Sequence, residues 1–124
     1  MEVISSAYAP TVIGTYSPAI KVGNTVYLSG QIPLDPSTQV LCSENISEQI
    51  EQVIKNIDVL CQAAGGSLAQ VVKMTVYLMD LAHSGLVNEM MAKYFSAPYP
   101  ARVMLQISGL PRGSQVEMDA ILVV

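Results

Sequence analysis

The chain has 124 residues, 51% hydrophobic and only 13% charged, with ten acidic residues against six basic and a net charge of −4. One domain over residues 1–124 fits this length, but globular domains carry about 25% charged residues, so the apolar surplus predicts a subunit interface. The acidic balance excludes an electrostatic footprint for nucleic acid, and no apolar run approaches the ~20 residues of a membrane span.

The opening MEVISSAYAP lacks the basic and apolar regions of a signal peptide, so a cytoplasmic location is expected. Residues 18–28 read as two short strands about a Gly23-Asn24 turn. Ser29-Gly30-Gln31-Ile32-Pro33 breaks that pattern, and DPST is turn chemistry. Asn45 and Glu48 stand at capping-box spacing. Behind them Ile50, Val53, Ile54, Ile57, Leu60, Cys61 and Ala64 recur at helical spacing until Gly65-Gly66 ends the run. Val71 to Met79 alternates as a strand. Leu86, Val87, Met90, Met91, Tyr94 and Phe95 mark a second amphipathic helix, stopped by Pro98 and Pro100. Two closing strands, Pro100–Ile107 and Val116–Val124, are joined by SGLPRGS. The order ββ–α–β–α–ββ predicts an α+β sandwich with both helices on one sheet face.

The closing strands hold the most informative charges. Val103, Leu105 and Ile107 alternate with Arg102, Met104 and Gln106, while Val116, Met118, Ala120, Leu122 and Val124 alternate with Glu117, Asp119, Ile121 and Val123. Each strand is therefore expected to have one apolar face, with the charges sharing the opposite one. A charge held among strand residues needs a partner, a ligand or an interface. An Arg102–Glu117 ion pair across neighbouring strands is the plain structural alternative to a site. The second faces of the last three strands are mixed, and such a patch marks association. Closed cyclic assembly through it would bury Ile121 and Val123 and leave clefts for a small ligand.

Conventional catalytic groups are scarce. Cys42 and Cys61 have no C-x-x-C spacing and read as reduced thiols, one in a loop and one on the apolar stripe of the first helix. His83 is the lone histidine and reads as an exposed residue at a helix start. Glu117 and Asp119 share a strand face, but a metal there would want further ligands that the sequence does not display.

The segments APTVIGTYSPAIKVGN, YLSGQIPLDPST, AAGGSLAQVVKMTVYLMDL, VNEMMAKYF and PARVMLQISGLPRGSQVEMDAI cover most of the chain. In order and spacing they resemble the RidA/YjgF family of reactive-intermediate deaminases, also called L-PSP endoribonuclease-like. The resemblance implies a chorismate-mutase-like α+β fold, a homotrimer and ligand clefts between subunits. It also implies hydrolysis of 2-imino acids and their enamine tautomers to 2-keto acids and ammonia, without metal or cofactor. The family's carboxylate-binding arginine falls on Arg102 and its water-activating glutamate on Glu117. Its further site positions fall on Tyr16, Gly30 and Asn88. Thr15 stands where the family usually has proline, Ser84 where an aromatic residue is common, and Val103-Met104 where small or Ser-Cys residues are frequent. Val103 and Met104 would therefore narrow or grease the pocket beside Arg102.

The chemistry needs little beyond orientation and proton transfer. A planar guanidinium suits a carboxylate, and a glutamate can move the proton. Two other functions fit the family. A ribonuclease would be expected to show a basic groove and stacking aromatics, which six basic residues, one Phe and no Trp do not favour. A non-catalytic sensor or chaperone-like trimer for small carboxylates would need Arg102 but not Glu117.

Overall fold

In a computed structural model describing residues 1–124, the stripe Ile50, Val53, Ile54, Ile57, Leu60 and Cys61 is fully buried on helix α1 (Ile46–Ala63). Burying such a stripe holds the helix to the sheet. Its ends are set locally. Asn45 Oδ1 accepts from the Glu48 N–H at 3.0 Å, while the Asn45 N–H donates to Ser43 Oγ at 2.9 Å, so the box is half made and Ser43 completes it. At the other end Gly65, at φ +88°, lets its N–H and that of Gly66 reach the Gln62 and Cys61 carbonyls.

Six strands form one mixed sheet: β1 (Glu2–Ile4), β2 (Ala19–Val22), β3 (Thr25–Gln31), β4 (Val71–Leu78), β5 (Ala101–Gln106) and β6 (Val116–Val123), in the order β1-β2-β3-β6-β4-β5. Neighbours are antiparallel except β4 and β5, which run parallel and are joined through helix α2 (Ser84–Tyr94). Both helices contribute to one core on one face, where Val87 and Met91 of α2 meet the α1 stripe, Met74, Val76 and Leu78 of β4, and Val116, Met118 and Leu122 of β6. The α+β expectation holds. Strand β1 had no sequence signal, because three residues are too few to display a period.

Three expectations are corrected. The pattern break at Ser29-Gly30-Gln31 lies inside β3, where the pairing with β6 shifts register between Leu28 and Gln31 and leaves a bulge. The β5 reading is inverted. Its partners are Met74 for Arg102 and Val76 for Met104, so those side chains share the helix-covered face and Met104 packs on the core. Val103 and Leu105 lie instead on the bare face, 40% and 43% exposed. Arg102 and Glu117 therefore do not share a face. Nor can they pair across neighbouring strands, because β4 lies between β5 and β6. Alternation groups residues by face; which group meets the helices follows from pairing distant in sequence.

One buried polar residue ties α1 to the segment leaving β3. Asn56, 1% exposed, donates through Nδ2 to the Leu34 carbonyl at 3.0 Å and the Ile32 carbonyl at 3.3 Å, and accepts from Gln52 Nε2 at 2.9 Å. Truncation orphans two carbonyls under the helix. Asn56→Ala should therefore lower stability by about 2–3 kcal/mol, read as a lower urea midpoint at unchanged slope. A midpoint equal to wild type would show that water replaces the amide at no cost.

Candidate active site

Glu117 owes its direction to the period of β6. Val116 and Met118 on either side are buried, so Glu117 points away from the helices, opposite Tyr77 of β4. Asp119, two residues on, is engaged, because the Tyr77 hydroxyl donates to its Oδ2 at 2.9 Å. Glu117 has no such donor and leans over the β3 bulge. A Cβ on Gly30 would collide with its carboxylate, standing 2.9 Å from Cδ, so the approach requires glycine. Ser29 ties the bulge to the chain before β2: its Oγ donates to the Ser17 carbonyl at 2.6 Å and its N–H to the Pro18 carbonyl at 2.9 Å. That brings Tyr16 to the same place. Tyr16, Gly30 and Glu117 line one cleft of about 570 Å³, with Ile13, Ile32 and Leu34 among its apolar walls.

Arg102 lies elsewhere. Its Nη1 donates to Asn88 Oδ1 at 2.7 Å and reaches Met91 Sδ at 3.5 Å, so α2 aims the guanidinium along the edge of the sheet. Asn88, Met91, Tyr99 and Arg102 line a second cleft of about 480 Å³. Met104 shares the face of Arg102 but lines neither cleft. Two strand spacings and three residues along the strand separate Arg102 from Glu117, about 14 Å between Cα atoms, on opposite sheet faces. The six sequence candidates thus form two groups: Tyr16, Gly30 and Glu117 in one cleft, and Arg102 and Asn88 in the other, with Met104 beside it.

The family model described as Endoribonuclease L-PSP matches residues 6–124. The chain belongs to this family, the RidA/YjgF proteins. The 2-iminobutanoate/2-iminopropanoate deaminase of Mus musculus is 45% identical over 122 residues, 98% of this chain and 90% of its own. The crystal structure of RidA from an Antarctic Psychrobacter matches with a TM-score of 0.97 and 48% identity over the full length of both chains. Escherichia coli TdcF, solved with bound serine, matches with a TM-score of 0.93 and 30% identity over 100% of this chain and 99% of its own.

The electrostatics of this RidA/YjgF chain single out Glu117. Burial pushes its carboxyl above the usual glutamate range, and the nearby Asp119 charge adds to the shift. Both ion pairs in the chain belong to Glu51, with Lys55 and Lys93, so Glu117, Arg102 and Arg112 have no oppositely charged partner. Neither thiol is activated: burial pushes Cys61 up to about 12, and burial with the Glu48 charge raises Cys42. His83 sits half-buried at the start of α2, and no group of three or more His, Cys, Asp or Glu side chains could hold a metal ion. Sequence reading missed Arg112, which lines the Glu117 cleft from the loop before β6. The only signal was a basic residue between Pro111 and Gly113.

A carboxyl whose pKa rises on folding stabilises the fold fully below its unfolded pKa. That contribution is lost as pH rises through the folded value. Glu117→Gln removes the charged form, so the variant should be more stable than wild type at neutral pH. The difference should shrink toward zero as pH falls into the ordinary glutamate range. Urea midpoints of both proteins from about pH 4 to about pH 8 check this. A gap independent of pH would mean that Glu117 titrates as an ordinary surface group.

Proposed function

We propose that this protein hydrolyses 2-imino acids of the 2-iminobutanoate and 2-iminopropanoate type, with their enamine tautomers, to 2-keto acids and ammonia. The observation that carries the reading is the Glu117 carboxylate. It has no partner and a raised pKa, and it lies against the bare Gly30 backbone in an apolar-walled cleft. A base whose pKa is raised toward the working pH is a better proton shuttle. The deaminase name carried by the mouse relative supports the substrate class.

In this mechanism Arg102 grips the substrate carboxylate through parallel N–H donors, and Asn88 holds the guanidinium in place. Glu117 takes a proton from water as the oxygen bonds to the imine carbon, forming a carbinolamine. The protonated Glu117 then returns that proton to nitrogen. Glu117 next carries the hydroxyl proton to the same nitrogen, the C–N bond breaks as the C=O bond forms, and ammonia leaves the keto acid. Neither metal nor cofactor enters the scheme. A cytoplasmic setting fits it, and no helix is long and apolar enough to cross a membrane.

One chain cannot present Arg102 and Glu117 to one small molecule, because they point from opposite faces about 14 Å apart. We infer a homotrimer in which the Arg102 edge of one subunit meets the Glu117 cleft of the next. The bare sheet face supports association: Tyr27, Val103, Leu105 and Val123 are each at least 40% exposed there. RNA is a poor substrate for this surface, given ten acidic residues against six basic.

Arg102→Lys and Glu117→Gln separate the two roles. Arg102→Lys should weaken both turnover of 2-iminobutanoate and binding of 2-ketobutyrate. Glu117→Gln should slow turnover by about 10²–10⁴-fold while leaving product affinity near wild type. Sedimentation equilibrium on the same samples should show trimers throughout. Wild-type monomers at micromolar concentration would remove the shared site, and a wild-type rate in folded Glu117→Gln would remove its acid–base role.

A further inference from the structure

The wall of the cleft facing Glu117 is the segment from Pro10 to Pro18, which forms no regular secondary structure and carries Tyr16. Its position therefore depends on side-chain ties. Ser29 holds its far end through the Ser17 carbonyl. Its near end is held by Gln39, whose Oε1 accepts from the Thr11 N–H at 2.9 Å.

Gln39 has every polar group engaged. Its N–H donates to the Asp35 carbonyl at 2.8 Å and its Nε2 to the Pro36 carbonyl at 2.7 Å, while its own carbonyl accepts from Arg112 Nη2 at 3.1 Å. It thereby joins three segments of the cleft rim: the wall at Thr11, the turn following Leu34, and the loop bearing Arg112. The residue stands at φ +61°, a left-handed conformation that glycine adopts freely and glutamine does not. Glycine would keep the backbone bonds to Asp35 and Arg112. Only the side chain reaches Thr11.

We propose that Gln39 is a positioning residue for the deaminase reaction: its amide clasps the Thr11 end of the wall and keeps the cleft over Glu117 narrow enough to hold a small imino acid. The role rests on the functional reading above and adds to it a determinant of substrate affinity outside the reacting groups. Because Gln39 acts through the wall and not on Glu117, losing its side chain should loosen binding and leave proton transfer intact.

Gln39→Gly tests this, because it relieves the backbone strain while cutting the tie. With 2-iminopropanoate generated in situ, KM should rise about five-fold, the worth of one net hydrogen bond. The kcat should stay within about two-fold of wild type, with an unchanged pH profile. The melting temperature should fall by no more than about 3 °C. Gln39→Glu keeps an acceptor for the Thr11 N–H but loses the bond to the Pro36 carbonyl, so it should recover part of the KM. Amide exchange at Thr11 should be faster in Gln39→Gly than in wild type. An unchanged KM in Gln39→Gly, or joint loss of kcat, KM and melting temperature with no recovery in Gln39→Glu, would overturn the positioning role while leaving the deaminase reading intact. A wild-type protein that does not accelerate imine hydrolysis would overturn the deaminase reading, whatever Thr11 exchange shows of the clasp.

Discussion

Strand β6 lies between β3 and β4, and its period of two sends Val116, Met118, Ala120 and Leu122 into the core while Glu117 and Asp119 face away. The buried set anchors the strand, so the two carboxylates cannot turn elsewhere without moving a core residue. The same pairing gives each carboxylate a different neighbour. Asp119 receives the Tyr77 hydroxyl, whereas Glu117 meets the bulge of β3, where Gly30 offers backbone and no side chain. Two carboxylates on one strand face thus acquire separate characters. One accepts the Tyr77 hydroxyl, and the other has its pKa raised by burial and by the charge of the first.

The arginine lies at the opposite edge of the sheet. Strand β5 is the last strand, joined to β4 through α2, and that crossover puts Asn88 and Met91 above Arg102. The guanidinium is oriented by neutral groups, so its full charge remains available to an anion. The division of charge between two faces makes association a chemical requirement of the proposed reaction, and the bare apolar face offers a surface for it.

Helix α1 does more than close the core. Its buried amides reach out of the apolar layer to the irregular segments that shape the Glu117 cleft. Asn56 holds the carbonyls of Ile32 and Leu34. Gln49 donates to the Ser43 carbonyl at 2.8 Å and accepts from the Gln115 N–H at 2.9 Å, just before β6 begins. Buried polar groups without partners are costly, so these bonds fix the loops to the helix. The cleft is tied to α1 on one side, whereas the Pro10–Pro18 wall is held by hydrogen bonds at its ends.

What the sequence determined by itself was local or periodic. The α1 stripe, its Asn45 cap and its Gly65-Gly66 stop depend on residues within a turn of one another, and the alternation of β6 needs no partner strand to be read. Arg102 and Glu117 stood out for the same reason, as charges interrupting apolar alternation. The tertiary structure alone decided which face each group occupies and which strands are neighbours. Val103 and Leu105 looked like core residues until parallel pairing with β4 turned Met104 inward, and β4 intervened between the two charges. The approach of Glu117 to Gly30 and the hold of Gln39 on Thr11 join positions far apart in the chain. Periodicity fixes which side chains point together, but it carries no information about what stands opposite them, because that depends on pairing energies between distant segments.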